Sequence, residues 1–296
     1  MTARFSGAMT ALITPFKNGE FDRDAMAGLI EQQLAAGIDG LVPCGTTGEG
    51  ATLEPEEHAQ VVRFVVEQVK GRVPVIAGAG SNNTKKAIAL QKLVKECGAD
   101  ATLQVTPYYN KPNQAGLLAH FSAIVEACAH PTILYNVPSR TGCDMLPATL
   151  GELARNPSIV GVKEATGSVA RAQEVLNAVP EGFAVLSGED AFVLPLLAMG
   201  GHGVISVMSH VAPHKLAGLI DAHAAGEVAR ARQLARELAC LAQLMFVDTN
   251  PIPVKTACAA MGLCREEFRL PLVPMSADKK ADLLSRLRAC GVELRA

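Results

Sequence analysis

Thr132-Ile133-Leu134-Tyr135-Asn136-Val137-Pro138-Ser139-Arg140-Thr141-Gly142 is the stretch on which the fold of this chain turns. Its companion is Ile159-Val160-Gly161-Val162-Lys163-Glu164-Ala165-Thr166, whose lysine stands 28 residues after the tyrosine of the first. Each stretch starts as an apolar, β-branched run and stops at polar residues, which is how a buried strand with a polar tip reads. One tip offers a phenol and a guanidinium and the other an amine. An amine forms an imine with a keto acid, a phenol relays the protons released, and a guanidinium holds a carboxylate.

The same alternation of short apolar runs and longer helical patterns extends along the chain. Strands are predicted at 8–14, 40–44, 73–77, 101–105, 132–136, 160–163, 184–187 and 203–207, and helices follow them at 23–36, 55–70, 84–97, 114–129, 147–154, 169–178, 191–199 and 212–224. Eight βα units in about 225 residues suit a (β/α)8 TIM barrel, because parallel strands need helical crossovers and eight strands close around a packed interior. An open doubly wound sheet is the competing fold, and no G-x-G-x-x-G follows the first strand to support it. After Ala225 the strand signal ends, and 227–245, 253–261 and 277–289 read as amphipathic helices. The organisation expected is therefore a catalytic barrel over 1–225 and a C-terminal helical appendage over 226–296. Leu241, Leu244, Phe246 and Val247 read as an apolar stripe on that appendage.

Composition narrows the partners. The 296 residues are 49% hydrophobic and carry a net charge of -2, with no basic run, so a nucleic acid or anionic membrane is not indicated and a small polar substrate is. Residues 1–7 lack the apolar core of a signal peptide and no span of about 20 apolar residues occurs, which predicts a soluble, cytoplasmic protein. Eight cysteines are scattered singly without a C-x-x-C pair and read as small core residues. His202, His210 and His214 match no ligand signature, and no metal is expected.

In a barrel the chemistry sits at the C-terminal ends of the strands. There stand Gly45-Thr46-Thr47-Gly48-Glu49-Gly50, Thr106-Pro107-Tyr108-Tyr109-Asn110, Tyr135 to Arg140, Lys163-Glu164-Ala165-Thr166 and Ser187-Gly188-Glu189-Asp190. If Val160 and Val162 face the surrounding helices, Lys163 points into the barrel mouth, where burial lowers its pKa and frees the amine. Each residue has a bland reading when taken alone: Lys163 a solvated strand end, Tyr135 a core aromatic, Tyr108 and Tyr109 a turn, Arg140 a surface ion-pair partner. All three tyrosines of the chain fall at strand tips, however, and the residues gather at one end of the barrel. The glycine-rich Gly45–Gly50 segment lacks the G-K-[ST] ending of a phosphate loop, and its threonines instead suit a carboxylate.

Together the G-T-T-G-E segment at Gly45–Glu49, Y-N-x-P-x-R-T at Tyr135–Thr141, K-E-A-T at Lys163–Thr166 and N-P-I-P-V-K at Asn250–Lys255 resemble the pyruvate-dependent aldolase family typified by N-acetylneuraminate lyase, over essentially the whole chain. The resemblance is strongest to the branch that condenses pyruvate with L-aspartate 4-semialdehyde on the diaminopimelate route to lysine. The arginine of Val137-Pro138-Ser139-Arg140-Thr141 argues for that short acidic aldehyde over the polyhydroxylated chain of a sugar-acid substrate. The resemblance implies Lys163 as the Schiff-base lysine, Tyr135 as the proton shuttle, and Thr46 as the link from Tyr135 to a Tyr109 supplied by a neighbouring subunit. It implies Thr47 on the pyruvate carboxylate, Arg140 on the semialdehyde carboxylate, and Gly188 and Ile205 lining the pocket, Ile205 through its backbone. It further implies no cofactor, and a homotetramer built as a dimer of dimers.

The chain departs from lysine-sensitive relatives at the feedback site that the resemblance implies. Ala51, His58, Asn82 and Tyr108 stand there, but Lys86 replaces a carboxylate and Pro55 a histidine. Inhibition by lysine is accordingly expected to be weak or absent.

Overall fold

The computed structural model describes residues 3–295, and residues 1, 2 and 296 of the two expected domains lie outside them. In chain order the strands are β1 (Gly7–Ala11), β2 (Phe16–Lys17), β3 (Glu20–Phe21), β4 (Gly40–Val42), β5 (Ile76–Gly78), β6 (Ala101–Val105), β7 (Thr132–Asn136), β8 (Ile159–Glu164), β9 (Ala184–Ser187) and β10 (Gly203–Ser206). Eight are parallel neighbours in the order β4-β1-β10-β9-β8-β7-β6-β5, and an isolated parallel bridge from Leu41 to Val75 joins the two ends. The result is the expected eight-stranded barrel with helices between its strands. The first barrel strand ends at Ala11 instead of running to residue 14, and β2 and β3 form a small antiparallel hairpin that the apolar pattern did not announce.

Side-chain caps set where several of the outer helices begin. Asp22, Asn83, Asn113 and Ser168 each accept a hydrogen bond from a backbone N–H in the first turn, of Ala25, Lys86, Gly116 and Arg171 respectively. Inside the barrel, Met9, Ile76, Ile133, Leu186 and Ile205 have no exposed surface and fill the space below the mouth. The expectation that Val160 and Val162 both face the helices holds only for Val162. The β7–β8 register shifts between Thr132 and Ile133, so Val160 falls in an irregular pairing and packs against the interior cluster. Beyond this irregularity normal alternation resumes, with Ile133 opposite Gly161 and Tyr135 opposite Lys163.

Helices Val228–Leu244, Ile252–Ala260 and Ala277–Ala289 follow the last barrel strand. Leu234, Leu238, Leu283 and Leu287 share one apolar cluster with Leu29 and Leu216, so this segment packs into the helical layer of the barrel. The apolar stripe expected at its end divides. Leu241 and Leu244 are buried, whereas Phe246 and Val247 stay exposed because the helix is capped at Met245 and its periodicity stops there. Among the described residues no helix is long and apolar enough to cross a membrane.

Candidate active site

Lys163 and Tyr135 are paired across β8 and β7, one residue before each strand ends. Both are nearly sealed from solvent, and the Lys163 Nζ lies 4.5 Å from the centre of the tyrosine ring. Burial lowers the pKa of Lys163 from 10.5 to about 8. Asp190 and Glu189 oppose that shift, and the Arg140 charge reinforces it. Roughly a tenth of such an amine is neutral at pH 7, against well under a thousandth for an ordinary lysine. Burial also drives the Tyr135 phenol up to about 12, while the Arg140 charge and a hydrogen bond with Thr46 act the other way. The phenol therefore stays protonated at neutral pH and moves a proton only by exchanging it with a partner.

Gly188 makes room for the lysine. A methyl group there would stand 3.1 Å from Lys163 Cε and 2.6 Å from Ala165 Cβ, closer than packed side chains approach. The loop after β4 also depends on a glycine, because a Cβ on Gly50 would fall 2.1 Å from the Cys44 carbonyl oxygen. This tight loop presents an exposed Thr46 and a buried Thr47. Its Glu49 adopts a left-handed backbone and forms a fully buried ion pair, 2.6 Å long, with Lys255. Arg140 lies on a short helical turn, Pro138–Thr141, and its guanidinium is exposed at the cavity wall.

These residues enclose a cavity of about 320 Å³ whose wall includes Thr46, Thr47, Tyr135, Arg140, Lys163 and Gly188. Two residues picked out with them lie elsewhere. The side chain of Ile205 sits among the interior apolar side chains and off this wall, its residue paired with Met9. Tyr109 is 88% exposed, with a left-handed backbone at φ 72°, and is not on the wall of its own chain's cavity.

Three further groups on the wall, Asn250, Asp248 and Glu189, were given no role by the sequence reading. Asn250 donates from Nδ2 to Thr47 Oγ1 at 3.0 Å, and its carbonyl accepts from Arg140 Nη2 at 3.4 Å. Its conspicuous Asn250-Pro251-Ile252-Pro253 setting was a signal, but the contact spans 203 residues. Asp248 comes from the same segment, and Glu189 from the tip of β9. Burial, then the neighbouring Asp190, raises the pKa of Glu189. Asp190 itself is turned inward, accepting from the backbone N–H of Val207 and Met208 at 3.1 and 2.9 Å.

A second cavity, of about 400 Å³, shares Thr46, Tyr135, Arg140 and Asn250 with the first and is otherwise mostly apolar. Ala51, His58 and Tyr108 line it. Asn82 does not, but donates from Nδ2 to the Tyr108 carbonyl at 3.2 Å. Burial lowers the pKa of His58, whose Nε2 has no hydrogen-bond partner. Lys86 is exposed on helix Thr84–Glu96, outside the wall. Among the described residues no group of three or more His, Cys, Asp or Glu side chains is arranged to hold a metal ion. An accessible low-pKa amine, a phenol, hydroxyls and a guanidinium around a small cavity are suited to imine chemistry on a short acid.

Comparison with known proteins places this geometry among relatives. Residues 4–290 match the model of the dihydrodipicolinate synthetase family. The 4-hydroxy-tetrahydrodipicolinate synthase of Maridesulfovibrio salexigens is 58% identical over 289 residues, covering 97% of this chain and 99% of the relative. The enzyme of the same name from Geobacter sulfurreducens is 50% identical, over 96% of this chain and 98% of its own. The crystal structure of dihydrodipicolinate synthase from Aquifex aeolicus superposes with a TM-score of 0.96 at 44% identity, covering 99% of this chain and 100% of that one.

Proposed function

The chain belongs to the dihydrodipicolinate synthetase family, and from that premise we propose how its own residues divide the work. The enzyme is a lyase of the Schiff-base aldolase type. It condenses pyruvate with L-aspartate 4-semialdehyde to give 4-hydroxy-tetrahydrodipicolinate, on the diaminopimelate route to lysine.

Lys163 is the nucleophile. Its neutral amine attacks the keto carbon of pyruvate, water leaves, and the iminium that results acts as an electron sink for loss of a methyl proton. The enamine attacks the aldehyde carbon of the semialdehyde. The amino group of that substrate then displaces Lys163 from the imine carbon, closing a six-membered ring and returning the free amine. Tyr135 hands protons on during addition and loss of water, through Thr46. Thr47 receives the pyruvate carboxylate and Arg140 that of the semialdehyde, where the guanidinium offers a bidentate fork. Gly188 keeps the lysine's path open.

The observation that carries this reading is the Tyr135–Lys163 pair at the strand tips, with Arg140 on the same cavity wall. The exposure of Tyr109 supports a neighbouring subunit as its destination, and with it assembly as a homotetramer built from tight dimers. A cytoplasmic location fits a biosynthetic activity of this kind. A coupled assay supplying both substrates tests the function directly. Turnover that needs both pyruvate and aspartate semialdehyde is expected, and cleavage of N-acetylneuraminate without that condensation would overturn the reading.

A further inference from the structure

On the outer side of β7 and β8 lies a polar cluster, buried at the strand pair and half-buried at Asp144 and Arg171, none of whose residues lines either cavity. Tyr135 and Lys163 are register partners, and the next pair along the strands is Asn136 and Glu164. Successive strand residues face opposite ways, so the first pair faces the cavity and the second turns towards the helical layer. Both members of the outer pair are buried. Asn136 uses both of its amide protons there. Its Nδ2 donates to Glu164 Oε2 at 3.1 Å and to Asp144 Oδ1 at 2.9 Å, while its Oδ1 accepts from the Met145 N–H at 2.9 Å. The other Glu164 oxygen accepts from the Thr166 N–H at 2.7 Å. Arg171 grips Asp144 bidentately at 2.8 and 2.9 Å, and this hold keeps the Asp144 carboxyl below its usual range.

We propose that Asn136, Glu164 and Asp144 are positioning residues for the reaction. One amide ties the strand of Lys163 to the strand of Tyr135 at the residue next to both, and ties each to Asp144, four residues past Arg140. The far end of the same strand pair is irregular, with the register shift at Thr132 and Ile133, so the tie at the tip fixes the relation of phenol to amine. A displacement of about 1 Å at a reacting group costs up to about 10²-fold in rate, which a well-satisfied buried network prevents.

The proposal rests on the assignment of Lys163 as the imine-forming lysine, and the test separates the two. Glu164→Gln conserves volume but replaces one acceptor oxygen by a donor. Whichever way the new amide turns, a donor confronts either Asn136 Nδ2 or the Thr166 N–H. Borohydride quenching at timed intervals under saturating pyruvate reads the rate of imine formation per folded molecule. Glu164→Gln should slow both this rate and kcat by about fivefold or more, with KM for pyruvate changed by less than about threefold. A variant with a lower melting temperature but wild-type trapping rate and kcat would show a purely structural cluster and overturn the proposal. Should Glu164→Gln not fold, Arg171→Met removes the outer grip while leaving the Asn136–Glu164 bond. It should lower kcat about twofold to fivefold and raise KM for aspartate semialdehyde, and unchanged values would equally overturn the proposal. If the wild-type enzyme itself forms no adduct at Lys163, the assignment of the lysine fails, and the proposal with it.

Discussion

The amine of Lys163 stands 4.5 Å from the centre of the Tyr135 ring, the two residues being direct partners across adjacent parallel strands. A charged lysine gains some attraction from the ring face in this arrangement. The loss of water outweighs it, since the pKa falls to about 8.

That fall has a sign that experiment can read. Imine formation needs the neutral amine, so the initial rate of adduct formation should rise with pH through about 8 and then level off. For stability, the folded pKa lies below the unfolded 10.5, so burial of the charge opposes folding. The cost is complete below pH 8 and disappears as pH rises past 10.5. Its full size is about 3 kcal/mol. Lys163→Met should therefore be inactive yet more resistant to urea at pH 7. A methionine variant less stable than wild type would contradict this balance.

Tyr135→Phe should keep the ring's packing and lose the relay. Folding should be intact and kcat should fall on the order of 10²-fold or more. Near-normal turnover would make Tyr135 only a core aromatic.

Arg140→Ala should separate the two substrates. Arg140 reaches the cavity wall from a short helical turn and is held by one long hydrogen bond, 3.4 Å to the Asn250 carbonyl, so its removal costs the fold only that weak contact. Use of aspartate semialdehyde should drop far more than the rate of adduct formation with pyruvate. Equal damage to both steps would count against the role.

L-lysine at millimolar concentration should leave activity largely unchanged. Among the residues lining the second cavity the one carboxylate is Glu49, and Lys255 already occupies it in a fully buried ion pair. An incoming ammonium would meet Arg140 on the same wall, and like charges about 4 Å apart cost roughly 1–4 kcal/mol at surface-like dielectrics. Dose–response curves at subsaturating pyruvate check this. Half-inhibition below about 1 mM, an affinity near -4 kcal/mol, would show that the cavity still binds lysine.

The strand tips were legible because a buried parallel strand reads as an apolar run, and the residues of the cavity wall stand where the run breaks. Tyr135, Lys163 and the Thr46–Thr47 loop were found this way. What was missed involved geometry that no local pattern carries. The β2–β3 hairpin has two-residue strands, too short for periodicity, although Asn18-Gly19 at its turn, with φ 57° and 80°, is the dipeptide such turns prefer. The facing of Val160 depended on a register shift between strands, which a single strand's sequence does not record. Asn250 reaches Thr47 from the far end of the chain. Asp190 and Glu189 are adjacent strand-tip carboxylates, and only the fold turns one towards backbone N–H groups and leaves the other on the cavity wall.

The most direct test of the account uses pyruvate with borohydride, followed by intact mass and peptide mapping. The chain offers two deeply buried lysines for comparison. Lys163 opens onto the cavity, and Lys255 is sealed against Glu49 beside the ring of Phe16. A single reduced pyruvate adduct on the peptide containing Lys163, with Lys255 unmodified, is the expected result. Modification of Lys255 or of any surface lysine with Lys163 untouched would contradict the account.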